Sequence, residues 1–162
     1  MEIPHSNPLT AESIALGRKL YYDTRLSADN TISCASCHNP NLGFSDGLQR
    51  SPGVGGALGK RHAPSIWNAA YNGIQFWDGR AGSLEEQAAG PIANPGEMNM
   101  THEVCNQRLS KDPEYPSLFE KAFGPGPITI LKIQNAIASF ERTIVSGNSL
   151  FDRYYFGGDK AA

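Results

Sequence analysis

Apolar residues recur at helical spacing near both ends of this chain and lose that spacing in its middle. From the cap Thr10 a first helix is predicted through Ala11-Glu12-Ser13 to about Tyr22, with Ile14, Leu16, Leu20 and Tyr21 as its apolar contacts. Ser83-Leu84-Glu85-Glu86 has the form of a capping box, in which Glu86 reaches back to the cap of a second helix. A third helix is expected from Thr101 to just before Pro113, and a fourth from there to the break at Gly124-Pro125. The strongest signal lies over 129–145, where Leu131, Ile133, Ile137, Phe140 and Ile144 recur before Ser146-Gly147-Asn148. Strict alternation is scarce, and there is no internal repeat. The pattern predicts an all-α chain whose 17 glycines and 11 prolines build long ordered loops between 39 and 126.

The chain has 162 residues, a length that suits a single domain over 1–162. A net charge of -2 gives no electrostatic footprint for nucleic acid or for an anionic membrane. No apolar stretch has membrane-spanning length, and the helix over 129–145 carries Lys132, Glu141 and Arg142. The loop Gly53-Val54-Gly55-Gly56-Ala57-Leu58-Gly59-Lys60 is not a phosphate cradle, because Arg61 follows Lys60 and no strand precedes it. It reads as a flap, or as a loop that approaches a cofactor closely.

That cofactor is suggested by Cys34-Ala35-Ser36-Cys37-His38, a C-x-x-C-H run. Two thiols at this spacing can add to the two vinyl groups of a haem, leaving the next histidine under the iron as its proximal ligand. The rival readings lack their partners. A zinc site needs a second ligand pair, whereas Cys105 stands alone; a thioredoxin-like dithiol needs a strand-helix-strand context. The expectation is one covalent haem c on Cys34 and Cys37 with His38 bound to iron, and Cys105 as a small buried apolar residue. Haem c is attached outside the cytoplasm in bacteria, yet Met1-Glu2-Ile3-Pro4 has neither a basic start nor an apolar run. The expectation is therefore a periplasmic protein read without its export signal.

Function then turns on the iron's other face. Met98 or Met100 there would make a monohaem electron carrier, and their separation from His38 permits it. His5, His62 and His102 are possible bis-histidine partners, each also readable as an exposed or structurally bonded histidine. Against a simple carrier stands Phe76-Trp77-Asp78-Gly79-Arg80, followed by Gln87, Pro91 and Glu97. An indole, an amide and a carboxylate in one stretch suit cleavage of an oxygen–oxygen bond, and a carboxylate in an apolar pocket near haem has a raised pKa. The plainer reading makes Trp77 core, Asp78-Gly79 a turn and Glu97 a solvated acid.

Several stretches resemble the bacterial di-haem cytochrome c peroxidase family, which includes the methylamine-utilisation di-haem enzymes. They are Leu16-Gly17-Arg18-Lys19-Leu20-Tyr21-Tyr22-Asp23, Asp29-Asn30-Thr31-Ile32-Ser33 leading into Cys34, and Arg61-His62-Ala63-Pro64-Ser65. Phe76-Trp77-Asp78-Gly79-Arg80, Gly90-Pro91-Ile92 and Glu97-Met98 complete the set, in the family's order over about 8–156. The resemblance implies a cytochrome c-like helical domain, the N-terminal peroxidatic half of such an enzyme, reducing hydrogen peroxide to water. It implies Glu97 as distal acid/base, Gln87, Pro91 and Phe76 as walls of the distal pocket, and Trp77 as the relay towards a second haem. It also implies electrons from a C-terminal haem domain missing here, or from a small donor such as a c-type cytochrome or cupredoxin. Two departures bear on this. Val54 stands where many members carry a capping histidine, so the iron is either open or capped by another histidine such as His62. Only one C-x-x-C-H is present, as in an excised domain or truncated product. The family's calcium site spans both domains and His62 replaces its usual asparagine, so calcium stays uncertain. A haem sensor without turnover is the remaining alternative.

Overall fold

The computed structural model describes Met1 and residues 3–161. Among these residues seven α-helices carry the fold: α1 (Ala11–Tyr22), α2 (Cys34–Cys37), α3 (Leu84–Ala93), α4 (His102–Ser110), α5 (Tyr115–Phe123), α6 (Ile130–Glu141) and α7 (Leu150–Tyr155). Between α2 and α3 the chain runs through turns and three isolated bridges, Asn39 with Ser45, Pro52 with Leu58 and Gln75 with Ala81. These pin successive loops by their necks.

The helix starts follow cap chemistry. Thr10, Ser83, Thr101 and Thr129 each accept a hydrogen bond from the backbone N–H three residues on. The box at Ser83 closes one residue early, since the Glu86 carboxylate accepts from Gly82 N at 2.7 Å instead of from the cap itself. The strongest helix also stops sooner than its periodicity suggests. Thr143 N and Ile144 N turn back to Phe140 O and Glu141 O, so Ile144 is buried beyond the end of α6. Leu131, counted above among its apolar contacts, is 63% exposed on the first turn.

α1 crosses α6 in close contact. A β-carbon at Gly17 would stand 1.8 Å from Ala136 O, so glycine alone permits the approach. One apolar cluster on this crossing includes Leu16, Leu20, Ile92, Met98, Met100, Cys105 and Ile137. A second holds Tyr21, Phe44, Ile66, Leu84, Ala138, Phe140 and Ile144, and Cys34 packs against it. Between α3 and α6 a buried ion pair ties the frame. Arg142 gives Glu85 two hydrogen bonds of 2.6 and 3.1 Å, and Asn7 adds a third at 2.7 Å. Among the described residues no helix is long and apolar enough to cross a membrane.

Candidate haem site

Ser33 caps a single helical turn, α2, whose ends are the two thiols, Cys34 and Cys37. Both are free, and burial pushes both thiols above their ordinary pKa. His38 follows as the residue that ends the turn. Its Nδ1 lies 3.2 Å from Phe44 O and 3.0 Å from Pro64 O. Both partners are carbonyl oxygens, so Nδ1 carries the proton and Nε2 keeps the lone pair that a metal needs. Burial lowers the histidine's pKa, keeping the ring neutral. Tyr21 donates its hydroxyl to His38 O at 2.6 Å, fastening the turn to α1.

The loops that supply those carbonyls are themselves cross-tied. Ser45 Oγ donates to Ala63 O at 2.9 Å and Ser65 Oγ to Gly43 O at 2.6 Å. His62 belongs to this layer. Its Nδ1 bonds Leu48 O at 2.7 Å, and its own carbonyl accepts from the Trp77 indole at 2.8 Å. Trp77 is 62% exposed, so it is not the core residue of the plainer reading.

Across from these loops α3 builds a different wall. Pro91 has no N–H for the helix ladder, and the chain folds back onto it, Met98 N donating to Pro91 O and Met100 N to Ile92 O. The fold-back carries Glu97 beside a cavity of about 230 Å³ lined by Phe76, Arg80, Pro91, Asn94 and Glu97 among others. Glu97 is half-buried, not solvated. Burial raises its pKa, opposed by the Arg80 charge and by the Asn94 amide, which donates to Oε1 at 2.7 Å. The glycine loop seals this wall. Val54 N donates to Glu97 O at 2.8 Å, and a β-carbon at Gly53 would stand 2.3 Å from Gly96 O. The close approach is to the backbone of Gly96 and Glu97. The Cys37 thiol lies near enough to feel the Glu97 charge, which brings the two walls together.

The other predicted residues fall outside the cavity. Gln87 is half-buried one turn before Pro91. Met98 and Met100, each 3% exposed, point into the first apolar cluster. His62 stands in the segment that bonds Nδ1 of His38, the ring edge opposite Nε2. None of the three lines the cavity as an axial partner would. His102 is structurally bonded, its Nε2 to Ala89 O at 2.9 Å, and Cys105 is fully buried.

The donor set fits a covalent haem. Two reduced thiols flank one turn, a neutral imidazole offers Nε2, and Asp46 Oδ2 is buried near them without a partner. Among the described residues no group of three or more His, Cys, Asp or Glu is arranged to hold a metal ion, so a zinc site lacks its remaining ligands.

A helical fold wrapped on loops around a C-x-x-C-H turn defines a domain of the cytochrome c kind. Within that class the chain belongs to the di-haem cytochrome c peroxidase family, whose model matches residues 11–161. It is 47% identical over 159 residues to the methylamine utilization protein MauG of Methylorubrum extorquens, covering 98% of this chain and 45% of that protein. It is 46% identical over 155 residues to the cytochrome c551 peroxidase of Nitrosomonas europaea, covering 96% of this chain and 46% of that one. The crystal structure of a MauG-like protein associated with microbial copper homeostasis superposes with a TM-score of 0.89 at 34% identity, over 99% of this chain and 48% of its own. The chain thus spans less than half the length of these relatives.

Proposed function

We propose that this chain is the peroxide-reducing haem domain of a bacterial di-haem peroxidase, with one haem c attached through Cys34 and Cys37 and with His38 as the iron's proximal ligand. The observation that carries this reading is Glu97, a half-buried carboxyl with a raised pKa on a cavity next to the C-x-x-C-H turn. The relatives named peroxidases support it.

Haem, when bound, supplies a Lewis-acid site and electrons for opening the O–O bond. The chain supplies the proton handling. Peroxide must lose a proton from its inner oxygen and gain one on its outer oxygen, and one carboxylate, Glu97, does both. Asn94 holds that carboxylate in place, while Phe76 and Pro91 keep bulk water off it. Gln87, one turn below Pro91, shapes the rim. Trp77 lies on the surface, where its ring passes electrons from a second haem domain or from a small donor such as a c-type cytochrome or cupredoxin. The setting is the periplasm, where haem c is attached.

The test is the haem-loaded protein. Mass spectrometry of denatured protein gives one added haem that acid–acetone does not extract, and the ferric spectrum is high-spin and changes on mixing with hydrogen peroxide. A methionine–iron charge-transfer band with no response to peroxide overturns the reading in favour of an electron carrier.

A further inference from the structure

Arg80 has no part in that mechanism, yet it lines the same cavity as Glu97. Its guanidinium carbon lies 3.5 Å from the centre of the Phe76 ring, a cation–π stack. Phe76 reaches this position from a left-handed backbone, φ +65°, which a bulky residue adopts only where its surroundings enforce it. Arg80 Nη1 donates to Asp78 Oδ1 at 2.8 Å, and Arg61 takes the other oxygen of Asp78 at 2.7 Å. One carboxylate is thus shared by two guanidiniums, and the group keeps a net positive charge. A guanidinium has five N–H groups. Among the described residues this one makes no other side-chain hydrogen bond. The charge of Arg80 is also felt at Glu97, where it opposes the effect of burial.

We propose that Arg80 is the second polar residue of the peroxide site: its unused N–H groups bind the outer oxygen of hydrogen peroxide and stabilise the negative charge that gathers there as the O–O bond breaks. This rests on the peroxide reading of the cavity. The bonding pair leaves with the outer oxygen, which takes a proton from Glu97 and departs as water; the two electrons consumed come from the haem and its donor protein. A guanidinium already fixed on an aromatic ring meets that charge without reorganising, which is where an enzyme gains most from a cation. Arg80 also favours the ionised form of Glu97, the form that accepts the first proton.

The experiment uses the haem-loaded full chain and four proteins: wild type, Arg80→Gln, Arg80→Lys and Glu97→Gln. Two quantities are read, the bimolecular rate with hydrogen peroxide across pH 5–9 and the affinity of the ferric protein for fluoride, an anion that senses distal hydrogen-bond donors. For Arg80→Gln the rate falls roughly a hundredfold, as for loss of one preorganised donor. Fluoride binding weakens with it, and the midpoint of the pH profile moves upward as Glu97 loses its neighbouring charge. Arg80→Lys restores the midpoint while leaving the rate reduced, because a point charge replaces a fork. If Glu97→Gln slows the reaction while Arg80→Gln leaves rate, fluoride affinity and midpoint at wild-type values, Arg80 is only a surface ion pair and the inference fails. If wild type itself ignores peroxide, the peroxide reading falls and this inference falls with it.

Discussion

The two sides of the candidate haem site are held by different kinds of bond. On the His38 side the ring N–H is caught between two main-chain carbonyls, and a tyrosine fastens the residue's own carbonyl. None of those acceptors titrates or rotates. On the Glu97 side the backbone is tied to Pro91, Ile92 and the glycine loop, but the carboxyl, which burial drives towards its neutral form, is held by a single amide, Asn94. A metal ligand has to stay where it is, whereas a proton carrier has to gain and lose its proton. The fold gives main-chain rigidity to His38 and an adjustable electrostatic setting to Glu97, which suits the roles proposed for them.

The harshest way to break this contrast is at a distance. Replacing Arg142 by leucine leaves Glu85 charged, buried and unpaired between α3 and α6, and unfolding in urea should register a loss of about 3–5 kcal/mol. Because α3 carries the Glu97 wall, haem attachment at Cys34 and Cys37 should survive in whatever fraction folds.

Glu141 sharpens it through pH. This buried carboxyl lies near Cys34, Oε2 has no partner, and burial pushes its pKa up to about 8, with Arg142 opposing and Glu85 assisting. A folded-state pKa above the unfolded one means that its contribution is complete below about pH 4.5 and is lost as pH rises towards 8. Glu141→Gln should therefore flatten the decline of stability over that range, with a gain on the order of a few kcal/mol by pH 8. Denaturant midpoints at pH 5 and pH 8 check it; an equal gap between the two proteins at both values would contradict it.

Smaller effects separate the two walls. Gly53→Ala drives a β-carbon into Gly96 O, so it should cost roughly 1–3 kcal/mol and disturb peroxide reactivity while the proximal spectrum stays unchanged. Tyr21→Phe removes one hydrogen bond to His38 O and should cost about 1 kcal/mol with the peroxide rate unaltered, since two carbonyls still hold the ring. Thermal melts and stopped-flow traces on the same preparations decide both.

The helical frame was readable because its evidence is local. Thr10 and Ser83 sit where caps belong, and the recurring residues of α6 face inward apart from Leu131. The two helices that periodicity misses are short. α2 is one turn created by the motif itself, and α7 carries Leu150, Phe151, Tyr154 and Tyr155, apolar residues that are all exposed, so no buried face marks it. The site was half readable. C-x-x-C-H announces its chemistry through spacing, but the contact of Gly53 with Gly96–Glu97 and the pairing of Arg142 with Glu85 join residues far apart in sequence, where periodicity carries no information. Arg80 had a signal in the Phe76-Trp77-Asp78-Gly79-Arg80 run. Its cavity position depends on the positive φ of Phe76, which no hydrophobic pattern reveals.

Everything proposed for the site turns on Glu97 handling the proton opposite a fixed His38. Its most direct measurement is the bimolecular rate of hydrogen peroxide with ferric, haem-loaded protein, comparing wild type with Glu97→Gln at one pH. Haem content should be unchanged and the rate lower by about a hundred- to ten-thousand-fold, or roughly 3–5 kcal/mol of barrier. A rate within a factor of about two of wild type, as for an ordinary surface substitution, would contradict it.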